Sequence, residues 1–79
     1  MQFIEMSGQT LLKVVTPDEI TPEALAKVGV KDSSIVRVNR QGDLEIRGAH
    51  GWEVIGGLLG NFEERIKHKT GLDWGEPCA

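Results

Sequence analysis

The sequence contains one cysteine, no tyrosine and no long hydrophobic run. Because Cys78 is the only cysteine, a disulfide within one chain is excluded as a source of stability. No apolar run approaches the roughly 20 residues that a membrane-spanning helix needs, so we expect no membrane partner. A lone cysteine and the lack of a signal peptide are typical of the reducing cytoplasm, where we expect this small soluble protein to act.

Charge of one sign is not in excess either. Nine basic and twelve acidic residues give a formal net charge of −3, which provides no general attraction to nucleic acid or anionic lipid. A chain of 79 residues forms a single domain with a thin core, and association with a second copy is a common source of stability at this size. We predict one α+β domain over residues 1–74 and a flexible C-terminal tail over residues 75–79.

Two short apolar segments at the start of the chain predict a first hairpin. Residues 2–6 (QFIEM) and 10–15 (TLLKVV) carry the large apolar and β-branched side chains that strands favour. Ser7 and Gly8 lie between them and suit a tight turn, because glycine supplies a positive φ without steric cost.

Capping residues predict a short helix after this hairpin. Residues 16–19 (TPDE) form a capping box that suits a single helical turn. Thr21, followed by a proline, then caps a helix over residues 22–28, which a glycine ends. We expect Leu25 and Val28 to face the core.

The alternation in residues 34–47 (SIVRVNRQGDLEIR) predicts a second hairpin with a defined register. A three-residue loop with Gly42 in the left-handed conformation puts apolar side chains on one face and polar ones on the other. A shift by one residue would mix charge with core on both faces, so the pattern selects this loop. The expected cross-strand pairs are Val36 with Ile46, Val38 with Leu44, Arg37 with Glu45, and Asn39 with Asp43.

The longest periodic segment of the chain is residues 51–74, for which two interpretations are open. We favour one amphipathic helix over residues 52–70 that ends at Gly71, because a stripe of apolar side chains recurs there at helical spacing. The stripe consists of Ile55, Leu58, Leu59, Phe62 and Ile66. In the alternative, residues 52–55 (WEVI) form a strand, two glycines form a corner and the helix starts near Leu58.

Glycines within this segment provide the first candidate site. Gly56, Gly57 and Gly60 lie outside the apolar stripe of the favoured helix, although each glycine costs about 1 kcal/mol relative to alanine in a helix. A smooth surface that another backbone approaches closely would explain their presence. With Trp52, a residue type enriched at interface hot spots, these glycines are our candidate partner-binding residues.

A second candidate site is the polar face of the hairpin at residues 34–47. Arg37, Arg40 and Arg47 could contact phosphates, although Asp43 and Glu45 neutralise much of their charge and no aromatic residue interleaves for base stacking. The sequence GDLEI in this hairpin is similar to strands of swapped-hairpin DNA-binding antitoxins. Those proteins are usually basic, this chain is not, and we carry no function over.

No pattern of catalytic or metal-ligating residues is present. His50, His68 and Cys78 are too scattered for a zinc site, and no nucleophile–base pair or phosphate-binding glycine loop is visible. We therefore expect no enzymatic activity and no cofactor. The sequence predicts a ββαββα protein in the α+β class, with an antiparallel or mixed sheet of about four strands and a long C-terminal helix packed on one face. We expect a protein–protein interaction module that forms a homodimer, with a nucleic-acid-binding or regulatory protein as the alternative.

Overall fold

The computed structural model describes residues 2–75 of the chain. Its elements, listed in chain order, are β1 (Phe3–Ser7), α1 (Gly8–Val14), α2 (Pro22–Lys27), β2 (Ile35–Asn39), β3 (Asp43–Gly48), β4 (Gly51–Gly57) and α3 (Phe62–Thr70). The strands form one antiparallel sheet in the order β1-β2-β3-β4. The predicted α+β class, with a four-stranded sheet and a C-terminal helix, is confirmed. None of the described helices has the length and apolar character required to cross a membrane.

The predicted second strand at residues 10–15 is wrong, because this segment belongs to α1. Ser7 ends β1 and caps the helix directly, since its Oγ accepts a hydrogen bond from the Thr10 N–H at 3.1 Å. Leu11 and Val14, three residues apart, are both fully buried, which is the spacing of one helix face. A satisfied cap and burial at helical spacing therefore override the strand propensity of these residues.

The short helix α2 has the predicted start and end. The Thr21 side chain accepts a hydrogen bond from the Ala24 N–H at 3.1 Å, and Gly29 follows the helix with a φ of 89°. Leu25 is buried as expected, but Val28 is 43% exposed and does not face the core. Val28 is the C-cap residue, just beyond the end of the helix at Lys27, so its side chain does not continue the inward face.

The β2–β3 hairpin confirms the predicted register. Gly42 has a φ of 91°, and its N–H donates to the Asn39 carbonyl at 3.0 Å across the three-residue loop. The described pairs include Val36 with Ile46, Arg37 with Glu45, and Val38 with Leu44. The loop also packs closely, because a Cβ on Gly42 would lie 2.7 Å from the Leu58 carbonyl oxygen.

The favoured long helix is wrong, and the alternative strand describes this segment better. Gly51–Gly57 is β4, paired with β3, and the helix α3 begins only at Phe62. The run of Trp, Val and Ile side chains has the strand preference that the alternative used. The predicted helix end at Gly71 is confirmed, with a φ of 78° and a hydrogen bond from its N–H to the Lys67 carbonyl at 2.8 Å.

All three helices contribute buried side chains to one face of the sheet. The core cluster consists of Ile4, Met6, Leu11, Val14, Leu25, Val36, Val38, Leu44, Leu58, Phe62 and Ile66. The opposite side, which we call the outer face, carries the alternate residues of each strand and no helix of the described chain. Its side chains include Phe3, Glu5, Ile35, Arg37, Glu45, Trp52 and Val54.

Candidate functional site

The two edges of the sheet differ in how they are covered. Phe3 in β1 exchanges two backbone hydrogen bonds with Gly75, at 3.1 and 3.0 Å, so part of this edge is paired. Gly75 falls in the predicted tail, whereas residues 76–79 of that tail, including Cys78, lie outside the described residues. Within residues 2–75, no strand pairs with the outer side of β4. The free edge of the described sheet is therefore β4.

The direction of the backbone groups in β4 follows from the pairing. Hydrogen-bonding groups alternate between the two sides of an antiparallel strand. The N–H and C=O groups of Phe3 in β1 both point outward, away from β2. Carried across the β1–β2 pairing, the alternation directs the N–H and C=O groups of Arg37 in β2 toward β3. The same alternation then directs Glu53 toward its β3 partner. The N–H and C=O groups of Trp52 and Val54 consequently face the free edge.

Two structural features limit this edge. The pairing of β3 with β4 shifts register between Leu44 and Glu45, which leaves Ile55 as the extra residue of a β-bulge. At the other end, β4 begins at Gly51, directly after the turn from β3. The regular part of the edge therefore spans residues 51–54.

Side chains along this regular part are unusually apolar for a free edge. Val54 is 60% exposed on the outer face, and Trp52 is half-buried beside it. Glu53 is exposed on the opposite, helix-bearing face, because it pairs with Ile46. Exposed edges usually carry charge that discourages pairing, and here Glu53 is the one charged side chain among residues 51–54.

Trp52 is held in place by an arginine. The Arg37 guanidinium carbon lies 4.0 Å from the centre of the Trp52 ring and 3.7 Å from that of Phe3. Arg37 Nε also donates to Glu45 Oε1 at 2.6 Å, and both of these charged side chains are only 16% exposed. A charge-paired guanidinium between two rings fixes the Trp52 side chain on the outer face.

The other two candidate arginines lie at different places, Arg40 at a loop and Arg47 on β3. Arg40 lies at the β2–β3 loop, where its guanidinium carbon is 4.6 Å from the Trp74 ring centre and its Nη2 donates to Gln2. Arg47 is exposed on β3 and forms no ion pair with any residue between positions 2 and 75. Arg37 and Arg47 therefore both lie beside Trp52 on the outer face, since Arg47 is the cross-strand partner of Trp52, whereas Arg40 lies at the loop.

The candidate glycines do not form a helical groove. Gly56 and Gly57 lie in β4, and Gly60 lies in the loop before α3. A Cβ on Gly56 would meet the Ile20 side chain at 3.4 Å, and one on Gly57 would meet the Gly42 carbonyl oxygen at the same distance. These are ordinary contacts, so neither position excludes a small side chain within the chain itself.

The backbone conformation of the loop explains why residue 60 is a glycine. Its φ is 63°, and no neighbouring atom lies within 4 Å of a Cβ built there. We expect Gly60→Ala to lower the free energy of unfolding by about 1 kcal/mol, because the left-handed conformation alone is unfavourable for alanine. Urea denaturation would measure the change, with Leu59→Ala, at a 59% exposed neighbour, as the control. A stabilised Gly60→Ala variant would instead support a continuous helix through this position.

Histidines and acidic residues do not converge on a metal site. His50 lies in the β3–β4 turn and His68 in α3, and the described residues contain no group of three potential ligands that could hold a metal ion. Trp74 packs edge-to-face on Phe62, with ring centres 6.2 Å apart, and its Nε1 donates to Glu63 at 2.7 Å. It thereby packs against the core at the N-terminal end of α3.

Comparisons with known proteins found no matching family model, no matching curated protein and no matching solved structure. The geometry of this chain is therefore the basis for the function proposed below.

Proposed function

We propose that this protein is a protein–protein interaction module that forms a homodimer by adding a strand of a second copy to the free edge of β4. The observation that supports the proposal most directly is the outward direction of the Trp52 and Val54 backbones next to a 60% exposed Val54 side chain. Unpaired edge groups bind an extended backbone, and side chains beside them give the contact its selectivity. The single cysteine remains the argument for a cytoplasmic setting.

The size of the chain supports the same proposal. A domain this small buries a modest fraction of its surface, so an added strand that covers apolar side chains contributes relatively more to stability than in a large protein. Trp52 is already oriented by Arg37, at 4.0 Å, before any partner arrives. An ordered aromatic side chain loses little conformational entropy on binding.

The nucleic-acid alternative has less support from the geometry. Arg37 is bound to Glu45 and enclosed between two rings, so its guanidinium is not free to contact a phosphate. The Arg40 guanidinium is likewise engaged, by the Trp74 ring and by Gln2. We propose no enzymatic activity.

Proline at the free edge provides the test. Val54→Pro removes an N–H that faces the edge and leaves the bonds between β3 and β4 intact, as proline is tolerated on edge strands and at bulges. We expect wild-type protein to dimerise at micromolar concentration and Val54→Pro to associate at least about tenfold more weakly. Sedimentation equilibrium over a range of protein concentrations would measure both constants.

Glu5→Pro is the matched control, because Glu5 lies on β1 and the same alternation directs its N–H outward from the opposite edge. It should leave self-association unchanged. Thermal melts of both variants would show that each remains folded. A wild-type protein that stays monomeric at high concentration, with a melting temperature independent of dilution, would refute the homodimer.

A further inference from the structure

We infer that the two copies pair in one antiparallel register centred on Glu53, so that Trp52 of each copy lies opposite Val54 of the other. This inference rests on the proposed homodimer and adds the geometry of its interface. It follows from the direction of the backbone groups, the length of the regular edge and the side chains on its two faces.

Backbone direction limits the possible registers. In a two-fold antiparallel pair, the residues that exchange hydrogen bonds must both direct their N–H and C=O groups outward. On β4 these residues are Trp52 and Val54, so the two-fold axis passes beside residue 52, 53 or 54. Each of the three centres predicts a different set of opposing residues.

The limits of the regular edge distinguish these centres. A centre at Val54 needs residues 55 and 56 to continue the ladder, but the bulge at Ile55 interrupts the alternation there. A centre at Trp52 places Val54 opposite His50, which belongs to the β3–β4 turn rather than to a strand. Only the centre at Glu53 keeps every hydrogen-bonded pair within residues 51–54.

Side chains on the outer face fit this register. Trp52 and Val54 both point to the outer face, and cross-strand pairs of an aromatic with a β-branched residue are among the favourable ones. The two-fold axis makes this pair twice.

On the helix-bearing face, the Glu53 side chains weaken the proposed dimer. Glu53 of one copy lies directly across from Glu53 of the other, in the closely spaced, non-hydrogen-bonded type of pair. Like charges at such positions are destabilising. The register therefore predicts a weak dimer whose affinity rises when one of the two carboxylates is replaced by a cation.

Cysteine cross-linking tests the register. In a background that carries Cys78→Ser, Glu53→Cys places two thiols across the axis with Cα atoms about 4.5 Å apart, which is within the range that a disulfide spans. Val54→Cys is the matched control, because residue 54 faces residue 52 of the other copy. Its two thiols are then offset by two positions, about 8 Å between Cα atoms, which is beyond disulfide reach. We expect the Glu53→Cys dimer to form at least about tenfold faster under mild oxidation, as read on a non-reducing gel.

A charge exchange provides a second measurement. When wild-type protein is mixed with Glu53→Lys, we expect the mixed dimer to be several-fold tighter than either self-dimer, because glutamate then faces lysine. Native mass spectrometry would count the three species.

The outcomes separate the register from the proposed function. Faster cross-linking at residue 54, or no preference for the mixed dimer in a protein that does dimerise through β4, overturns the register and leaves the proposed function standing. A wild-type dimer in which neither cysteine cross-links and Val54→Pro has no effect assigns the interface to another surface. A monomeric wild type overturns both.

Discussion

Gly8→Ala is expected to lower the free energy of unfolding by about 3 kcal/mol, although alanine normally stabilises a helix relative to glycine. Gly8 is the first residue of α1 and is buried. A Cβ at this position would lie 1.9 Å from the carbonyl oxygen of Lys31, which is backbone and cannot rotate away. Urea denaturation monitored by tryptophan fluorescence would measure the change.

Two backbone hydrogen bonds hold Gly8 against the Lys31 loop, so relaxation cannot remove the clash between an alanine Cβ and the Lys31 carbonyl oxygen. The Gly8 N–H donates to the Ser34 carbonyl at 2.8 Å, and the Gln9 N–H donates to the Asp32 carbonyl at 3.2 Å. These bonds hold the start of α1 against the loop that leads into β2. Gln9→Ala, at an exposed position one residue later, is the control and should change stability by no more than about 0.5 kcal/mol. A neutral or stabilising Gly8→Ala would show that the loop moves freely.

The hairpin shows where the sequence determined local structure. A strict alternation and a glycine at a single permitted loop position left one register without charge in the core, and the structure has that register. The helix ends at Gly29 and Gly71 could also be predicted from the sequence, since a glycine in the left-handed conformation follows both helices. In each case the information lies within about a dozen residues of sequence.

The errors have a common physical origin in long-range contacts. The Ser7 cap of α1 is a local signal, but the bonds from the Gly8 and Gln9 N–H groups to carbonyls more than twenty positions away, which also hold this helix start, cannot be read from residues 10–15. After the first residues of β4, the spacing of the apolar residues Ile55 and Leu58 is compatible with a helix and also with a strand that ends in a bulge. Tertiary pairing with β3 decides between them, and a short apolar run does not reveal its partner.

The candidate partner-binding residues remain a prediction, but the structure shows which element carries them. Trp52 and the glycines at positions 56 and 57 do share one element with a free edge, but as a strand rather than a helix face. Val54 and Glu53 were not among the candidates, because the role that we propose for them depends on which side of β4 is unpaired. The strand interpretation of residues 52–55 contained that signal, since every second residue of an edge strand presents its backbone outward.

Removal of the Glu19 carboxylate is the other substitution for which we expect a large effect. Glu19 Oε1 accepts from the Thr16 N–H at 2.8 Å, and Oε2 accepts from the Leu59 N–H at 2.6 Å and from Arg65 Nη2 at 2.5 Å. The side chain is only 1% exposed. One carboxylate thus joins the turn before α2, the loop after β4 and the helix α3.

We expect Glu19→Ala to lower the free energy of unfolding by about 2–3 kcal/mol, because it leaves these donors without an acceptor. The value is below that of a fully buried pair, because the Arg65 side chain retains 23% exposure and another bond, from its Nε to the Val14 carbonyl at 2.8 Å. Asp18→Ala, which removes a neighbouring exposed carboxylate, should cost far less. Equal losses in the two variants would contradict a special role for Glu19.

The same carboxylate should make stability depend on pH in the acid range. Burial raises the pKa of Glu19, but hydrogen bonds from Leu59, Arg65 and Thr16 outweigh that effect, and the pKa lies below its ordinary value of 4.5. For a carboxylate with a lowered pKa in the folded state, the stabilisation is complete above the unfolded pKa and is lost as pH falls through the folded one.

Wild-type stability should therefore decline below about pH 4.5 more steeply than that of Glu19→Gln, which has no proton to bind. Asp18→Asn removes one carboxylate at an exposed site and should keep the wild-type slope. Urea melts of the three proteins at intervals between neutral and acidic pH would measure the slopes, and parallel curves for wild type and Glu19→Gln would refute the linkage.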